Sequence, residues 1–284
     1  MYTDVSISGT VIVVLLIQFL FSMAVPVIAI YIWHKKTYAP FKPFVIGAAA
    51  YLVFVMIVEQ VVHGLVLGIN AHMADFILTR PWLYALYGSL LAGLFEETAR
   101  FLMYRTFMKK NKAREHAVSY GMGHGGMECV MMLGAGAISN FAIALLFNTQ
   151  GADAFIAQYA PENAAAMVEA VAQINNLDVT ATVLAFVERL SVMVLQIELS
   201  ILVFAAVRLN KIWMYPLAIV LHMGSDFFMG MYQAGSMSIW VLEAVVLLYV
   251  VLLAYPVWML YKKLPTEDAP KLDRFGRDPR LGLI

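Results

Sequence analysis

The sequence is short of charge, of cysteine and of any basic surplus, and each shortage excludes a class of protein. Only 13% of its 284 residues are Asp, Glu, Lys or Arg, about half the roughly 25% share typical of a soluble domain. Lys plus Arg (19) equals Asp plus Glu (19), so the formal net charge is zero and the basic footprint of a nucleic-acid partner is missing. The single cysteine, Cys129, rules out an internal disulfide. No basic stretch precedes the first apolar run, where only Asp4 stands. That run, from Ile7 to Trp33, is too long for a cleavable signal and is expected to remain as a membrane span.

What fills the sequence instead is apolar: 62% of residues are hydrophobic and the mean hydropathy is +0.78. An all-α integral membrane protein follows, because only helices and closed barrels satisfy their backbone in lipid. Apolar stretches of spanning length recur seven times, near 7–33, 44–69, 82–107, 116–148, 180–207, 212–231 and 237–261. The connecting charges orient them. Lys35, Lys36 and Lys42 follow the first span, and Arg105, Lys109, Lys110, Lys112 and Arg114 the third. Arg208 and Lys211 follow the fifth, Lys262 and Lys263 the seventh. All the basic loops fall on one side if the N-terminus is outside and the C-terminus cytosolic.

One polytopic domain over residues 1–264 is expected, with the chemistry in 93–230 and a mobile polar cytosolic tail over 265–284. The outer loop 149–179 holds Asp153, Glu162, Glu169 and Asp178 without a base. Its segment "PENAAAMVEAVAQI" sets Met167, Val168, Val171 and Ile174 on one helical face, as in a helix lying flat on the bilayer.

The third span reads "GLFEETARFLMYR" and places Glu96, Glu97 and Arg100 inside the membrane. Each charge there costs roughly 2.5–3.5 kcal/mol on insertion scales, so something must offset it. Arg100 lies i,i+4 from Glu96 and i,i+3 from Glu97, within reach of either carboxylate. One guanidinium cannot neutralise both, which leaves a carboxylate able to act as general acid or base; a structural salt bridge is the alternative. On later spans His124 and Glu128 are four apart, as are His222 and Asp226, so each pair shares a helix face. At 1.5 Å per residue, Glu96, His124 and His222 lie ~16, ~12 and ~15 Å from the cytosolic ends of their helices. Three polar groups from three spans therefore meet at one level. Glu198, ~13 Å deep, is a candidate supporting residue at that level.

Gly121, Gly123, Gly125 and Gly126 clear space around His124, either for close helix packing or for the approach of a substrate backbone. Glu59 with His63, and Glu188 with Arg189, fall in the outer half, where pairing between their two spans would satisfy all four.

Glu-Glu followed by Arg, then aromatic-xxx-His ("YGMGH"), then His-xxx-Asp ("HMGSD") resembles the glutamic-type intramembrane proteases of the CAAX-processing and bacteriocin-processing group. "HGGME" with "EETAR" is most similar to the YhfC-type membrane peptidases. The resemblance runs from the third span to the sixth. It implies an intramembrane endopeptidase acting on a membrane-embedded or membrane-proximal peptide, in a bacterial cytoplasmic membrane. Glu96 would activate water, with Glu97 and Arg100 holding it. Tyr120 would occupy the aromatic position, His124 would orient the water and His222 would stabilise the oxyanion.

Two departures stand out. Only Thr98 and Ala99 separate Glu97 from Arg100 where the CAAX-processing pattern has three residues, and Asp226 stands where Asn is frequent. An ionised Asp cannot donate to an oxyanion, so it would orient His222 or carry a proton. The same side chains, His124, His222, Glu128, Asp226 and Glu96, also offer the N and O donors of a zinc site with an open position. HExxH is absent, and the sequence expectation prefers no cofactor, with zinc as the alternative. A proton-coupled transporter and a non-catalytic membrane scaffold are the competing classes; the glycine cluster in only one span argues against the paired helix breaks of a transporter.

Overall fold

The computed structural model describes residues 6–266. Long helices dominate: α1 (Gly9–Thr37), α2 (Lys42–Ile69), α3 (Pro81–Arg105), α4 (Arg114–Gln150), α5 (Val179–Arg208), α6 (Met214–Gln233) and α7 (Ile239–Tyr261). Shorter helices cover Ala71–Leu78, Ala152–Tyr159 and Ala164–Asn175. No strand occurs among the described residues. The protein is an integral, multi-pass, all-helical membrane protein.

Each expected span corresponds to a helix, yet only α1, α2, α4, α5 and α7 are long and apolar enough to cross a bilayer by length and composition. Helices α3 and α6 fall short for a physical reason: they carry Glu96, Glu97, Arg100, His222 and Asp226, whose polarity lowers the hydropathy of the segment that holds them. Local signals set the ends. Pro81 begins α3 at the position where a missing N–H costs nothing, and Ser238 caps α7 by accepting from the Val241 N–H.

The helices cluster into two compact units. One comprises the residues up to Val25 with Glu128–Leu190. Its core joins Leu15, Phe147, Phe155, Val171 and Ile174. The Ala164–Asn175 helix therefore turns its apolar face, with Val171 1% exposed, into protein; the expected surface-lying helix is instead a packed one, because Phe147 and Phe155 offer it a partner. Arg189 in this unit bonds to the adjacent Glu188 and, at 3.4 Å, to Glu128.

The second unit comprises Pro26–Met127 and the residues from Ser191 onward. Here α5 supplies its buried strip of Leu195, Leu199, Val203 and Phe204, against Tyr104, Tyr120 and Ala218. Close helix approach makes this possible. A Cβ on Gly93 would stand 2.9 Å from the Ile219 carbonyl, and one on Gly121 2.6 Å from the Ile197 Cα. Gly121 and Gly125 both face α5, and Gly123 faces the Phe44 backbone, so packing accounts for these glycines. Glu59 pairs with His63 on its own helix at 3.3 Å, and His63 reaches the Tyr87 hydroxyl at 3.0 Å. Glu59 with His63 and Glu188 with Arg189 each pair along their own helix, His63 reaching on to Tyr87 of α3 and Arg189 to Glu128 of α4, in place of the expected pairing between the two spans. The tail expected from residue 265 lies almost wholly outside the described residues.

Candidate active site

The site is assembled inside the second unit from α3, α4, α5 and α6. On α3, residues 96, 97 and 100 share the inward face, with Glu96 4% exposed and Glu97 and Arg100 fully buried. Arg100 donates one guanidinium N–H to Glu97 Oε1 and another to Gln196 Oε1. Its distance to Glu96 Oε2 is 3.5 Å. The guanidinium thus holds Glu97 and Gln196 more closely than Glu96, whose nearer contacts come from other helices.

Those partners come from three further helices. His124 Nε2 lies 2.7 Å from Glu96 Oε2, Gln196 Nε2 donates to the same oxygen at 3.1 Å, and His222 Nε2 stands 3.7 Å away. His222 Nδ1 meets Glu97 Oε1 at 2.7 Å. The two carboxylates therefore take opposite roles: Glu97 fixes an imidazole and a guanidinium, while Glu96 Oε2 is the point on which the other groups converge. His124 is held by rings, Tyr51 edge-on at 5.3 Å and Tyr120 stacked at 6.1 Å.

Asp226 Oδ2 sits 3.3 Å from His222 Nε2, and its side chain is 36% exposed. It is the most open member of the cluster. Ser225 Oγ lies 3.1 Å from Asp226 Oδ1.

Of the side chains singled out in the sequence, Glu96, Glu97, Arg100, His124, His222 and Asp226 come together here, with Tyr120 beside them. Glu128 bonds to Arg189 in the other unit. Glu198 lies two positions beyond Gln196, about 200° around α5, and lines a separate groove. Sequence reasoning missed Gln196 and Tyr51. For Gln196 a signal existed: a lone amide within the apolar run "MVLQIELS", which lipid would not tolerate without a partner.

Among the described residues, no three His, Cys, Asp or Glu side chains are already spread around a common point in the manner of metal ligands. The donor chemistry nevertheless fits zinc: two imidazole nitrogens with the Glu96 and Asp226 carboxylates are the N and O ligands this ion takes. A carboxylate holding the far nitrogen of a histidine, as Glu97 holds His222 Nδ1, also fixes the ring in the way metal-bound histidines are fixed. Charge agrees. Glu96, Glu97 and Asp226 against Arg100 leave two negative charges, which one divalent cation or two protons on the histidines would balance.

No solved structure matches the chain. It is 32% identical over 209 residues to "Uncharacterized membrane protein YhfC" of Bacillus subtilis (strain 168), covering 73% of this chain and 80% of that protein. A family model described as "YhfC intramembrane metalloprotease" matches residues 21–247, a range that takes in every residue of the cluster. Its description names a metal, against the cofactor-free expectation from the sequence. The chain belongs to the YhfC intramembrane metalloprotease family.

Proposed function

We propose that this chain is an intramembrane endopeptidase that cleaves a membrane-embedded or membrane-proximal peptide near the cytosolic face, with Glu96 as its general base. The observation that carries the reading is the convergence of His124, Gln196, Arg100 and His222, from four helices including its own, on the single oxygen Glu96 Oε2. In this reading the seven helices cross the bilayer with the N-terminus outside and the C-terminus in the cytosol.

Hydrolysis needs a water to lose a proton as its oxygen bonds to the peptide carbon. Glu96 Oε2 takes that proton and later delivers it to the amide nitrogen as the C–N bond breaks. His124, confined by Tyr51 and Tyr120, orients the water. His222, protonated and aimed by Glu97 and Asp226, donates to the oxygen on which charge develops. Glu97 and Arg100 are positioning residues, because they act by fixing His222 and Gln196.

The same donors would hold zinc through His124, His222, Glu96 and Asp226. Bound there, the ion would supply Lewis-acid polarisation of the carbonyl and a more acidic water. Elemental analysis of the purified protein decides its presence: near-stoichiometric zinc that is lost in both His124→Ala and His222→Ala assigns the ion, and protein free of metal after purification without chelators, yet active, removes it. For the activity itself, cells producing the chain are compared with cells producing Glu96→Gln by mass spectrometry of new peptide ends. Ends mapping within or beside apolar spans, and present only with the unaltered chain, are expected; identical sets of ends would defeat the proposal.

A further inference from the structure

Helix α5 carries one amide in its apolar run, Gln196, which is 1% exposed. Its seat is prepared on α4. A Cβ on Gly125 would stand 2.9 Å from Gln196 Cβ and 3.2 Å from its Cγ, and one on Gly121 3.0 Å from its carbonyl oxygen. The two glycines therefore let the stem of Gln196 lie against the helix that carries His124, and its head reaches α3. Ser200 Oγ donates to the Gln196 carbonyl at 2.7 Å.

That head stands between two groups of opposite demand. Arg100 donates to Gln196 Oε1, and Gln196 Nε2 donates to Glu96 Oε2 at 3.1 Å. A guanidinium can only donate and an ionised carboxylate can only accept. The position therefore needs an acceptor on one side and a donor on the other. An amide has both; a carboxylate, an ammonium or an apolar side chain does not. Without the amide, the same guanidinium nitrogen has Glu96 Oε2, 3.5 Å off, to turn to. Closing that distance draws the carboxylate from His124 Nε2, now at 2.7 Å, and alters its 3.7 Å spacing from His222 Nε2.

We infer that Gln196 is a positioning residue of the peptidase site. Its amide occupies one arm of Arg100 and holds Glu96 Oε2 against His124, so that the base meets its water in a single orientation. This rests on the reading of Glu96 as the general base.

The test compares Gln196→Met, Gln196→Glu and Glu96→Gln with the unaltered full chain in lipid nanodiscs, on a peptide identified from the new chain ends. Gln196→Met should lower kcat about 10²-fold, the cost of misplacing a reacting group by about 1 Å. KM should not change, because the amide does not meet the peptide. Thiol exposure of the buried Cys129 on heating reads folding without any peptide. By that measure Gln196→Glu should unfold at a lower temperature, since it opposes two carboxylates in a dry site. Adding Glu96→Gln restores a donor facing an acceptor, in reversed order, and should return the unfolding temperature while the protein stays inactive. Unaltered kcat in Gln196→Met beside an inactive Glu96→Gln would overturn the inference and leave the base assignment standing. A raised KM at unchanged kcat would make Gln196 a substrate contact instead, which also overturns it. Failure of the double variant to recover stability would show that the amide does not bridge the two groups. Full cleavage by Glu96→Gln would remove the base, and this inference with it.

Discussion

Glu96→Gln is expected to lower peptide cleavage by at least about 10²-fold while the protein still inserts and folds. General-base catalysis contributes typically 10²–10⁴, and the amide keeps the size of the carboxylate and most of its contacts. Gln at 96 still accepts from Gln196 Nε2 and His124 Nε2, and Arg100 remains bound to Glu97 and Gln196. What is lost is the capacity to take a proton from water. Metal content separates the two versions of the chemistry. If the variant keeps whatever zinc the unaltered protein holds, Glu96 works as a base; if the zinc leaves with the carboxylate, Glu96 is a ligand. Cleavage at the unaltered rate would remove Glu96 from the reaction altogether. The comparison is a single-turnover assay on a peptide identified from the new chain ends, with Cys129 accessibility as the control for folding, since that thiol is buried in the native protein.

Much of the core of this site was legible because lipid makes polarity conspicuous. Glu96, Glu97, Arg100, His124 and His222 stand in apolar runs where each carries a transfer penalty, and a simple count of residues to the helix end put them at one level. Pairing was harder to read. The i,i+4 relation suggested equal claims on Arg100, but side-chain direction gave the guanidinium to Glu97 and left Glu96 to His124 and Gln196. Helical spacing also put Glu128 on the face of His124, four residues on. The sequence offers no way to see that Arg189, far along the chain, is its partner. Gln196 and Glu198 show the same limit from the other side. Both are polar and deep, and charge drew notice to Glu198, whereas α5 turns Gln196 to the site. Hydropathy alone leaves α3 and α6 out of the candidate spans, since the polar residues they bring to the site are those that lower it.

Arg100→Leu is the substitution with the largest expected effect on stability. The side chain is fully buried, bonded to Glu97 and Gln196 and 3.5 Å from Glu96. Removing it strips Glu97, at 0% exposure, of its guanidinium and leaves His222 to face that carboxylate. Breaking a buried pair by deleting one partner costs about 3–5 kcal/mol, because the remaining charge is stranded. Replacing both partners by apolar residues of similar volume is by contrast often neutral. Arg100→Leu should therefore unfold at a markedly lower temperature, while Arg100→Leu combined with Glu97→Leu should recover most of the loss. Activity should not return with it. His222 Nδ1 bonds to Glu97, and without that carboxylate the imidazole has lost the group that aims Nε2 at Glu96 and Asp226. Thermal exposure of Cys129 to a thiol-reactive dye reads stability, and cleavage of the same peptide reads function. A stable and active double variant would show that the ion pair holds the helices together and nothing more; a stable, inactive one is the expected outcome.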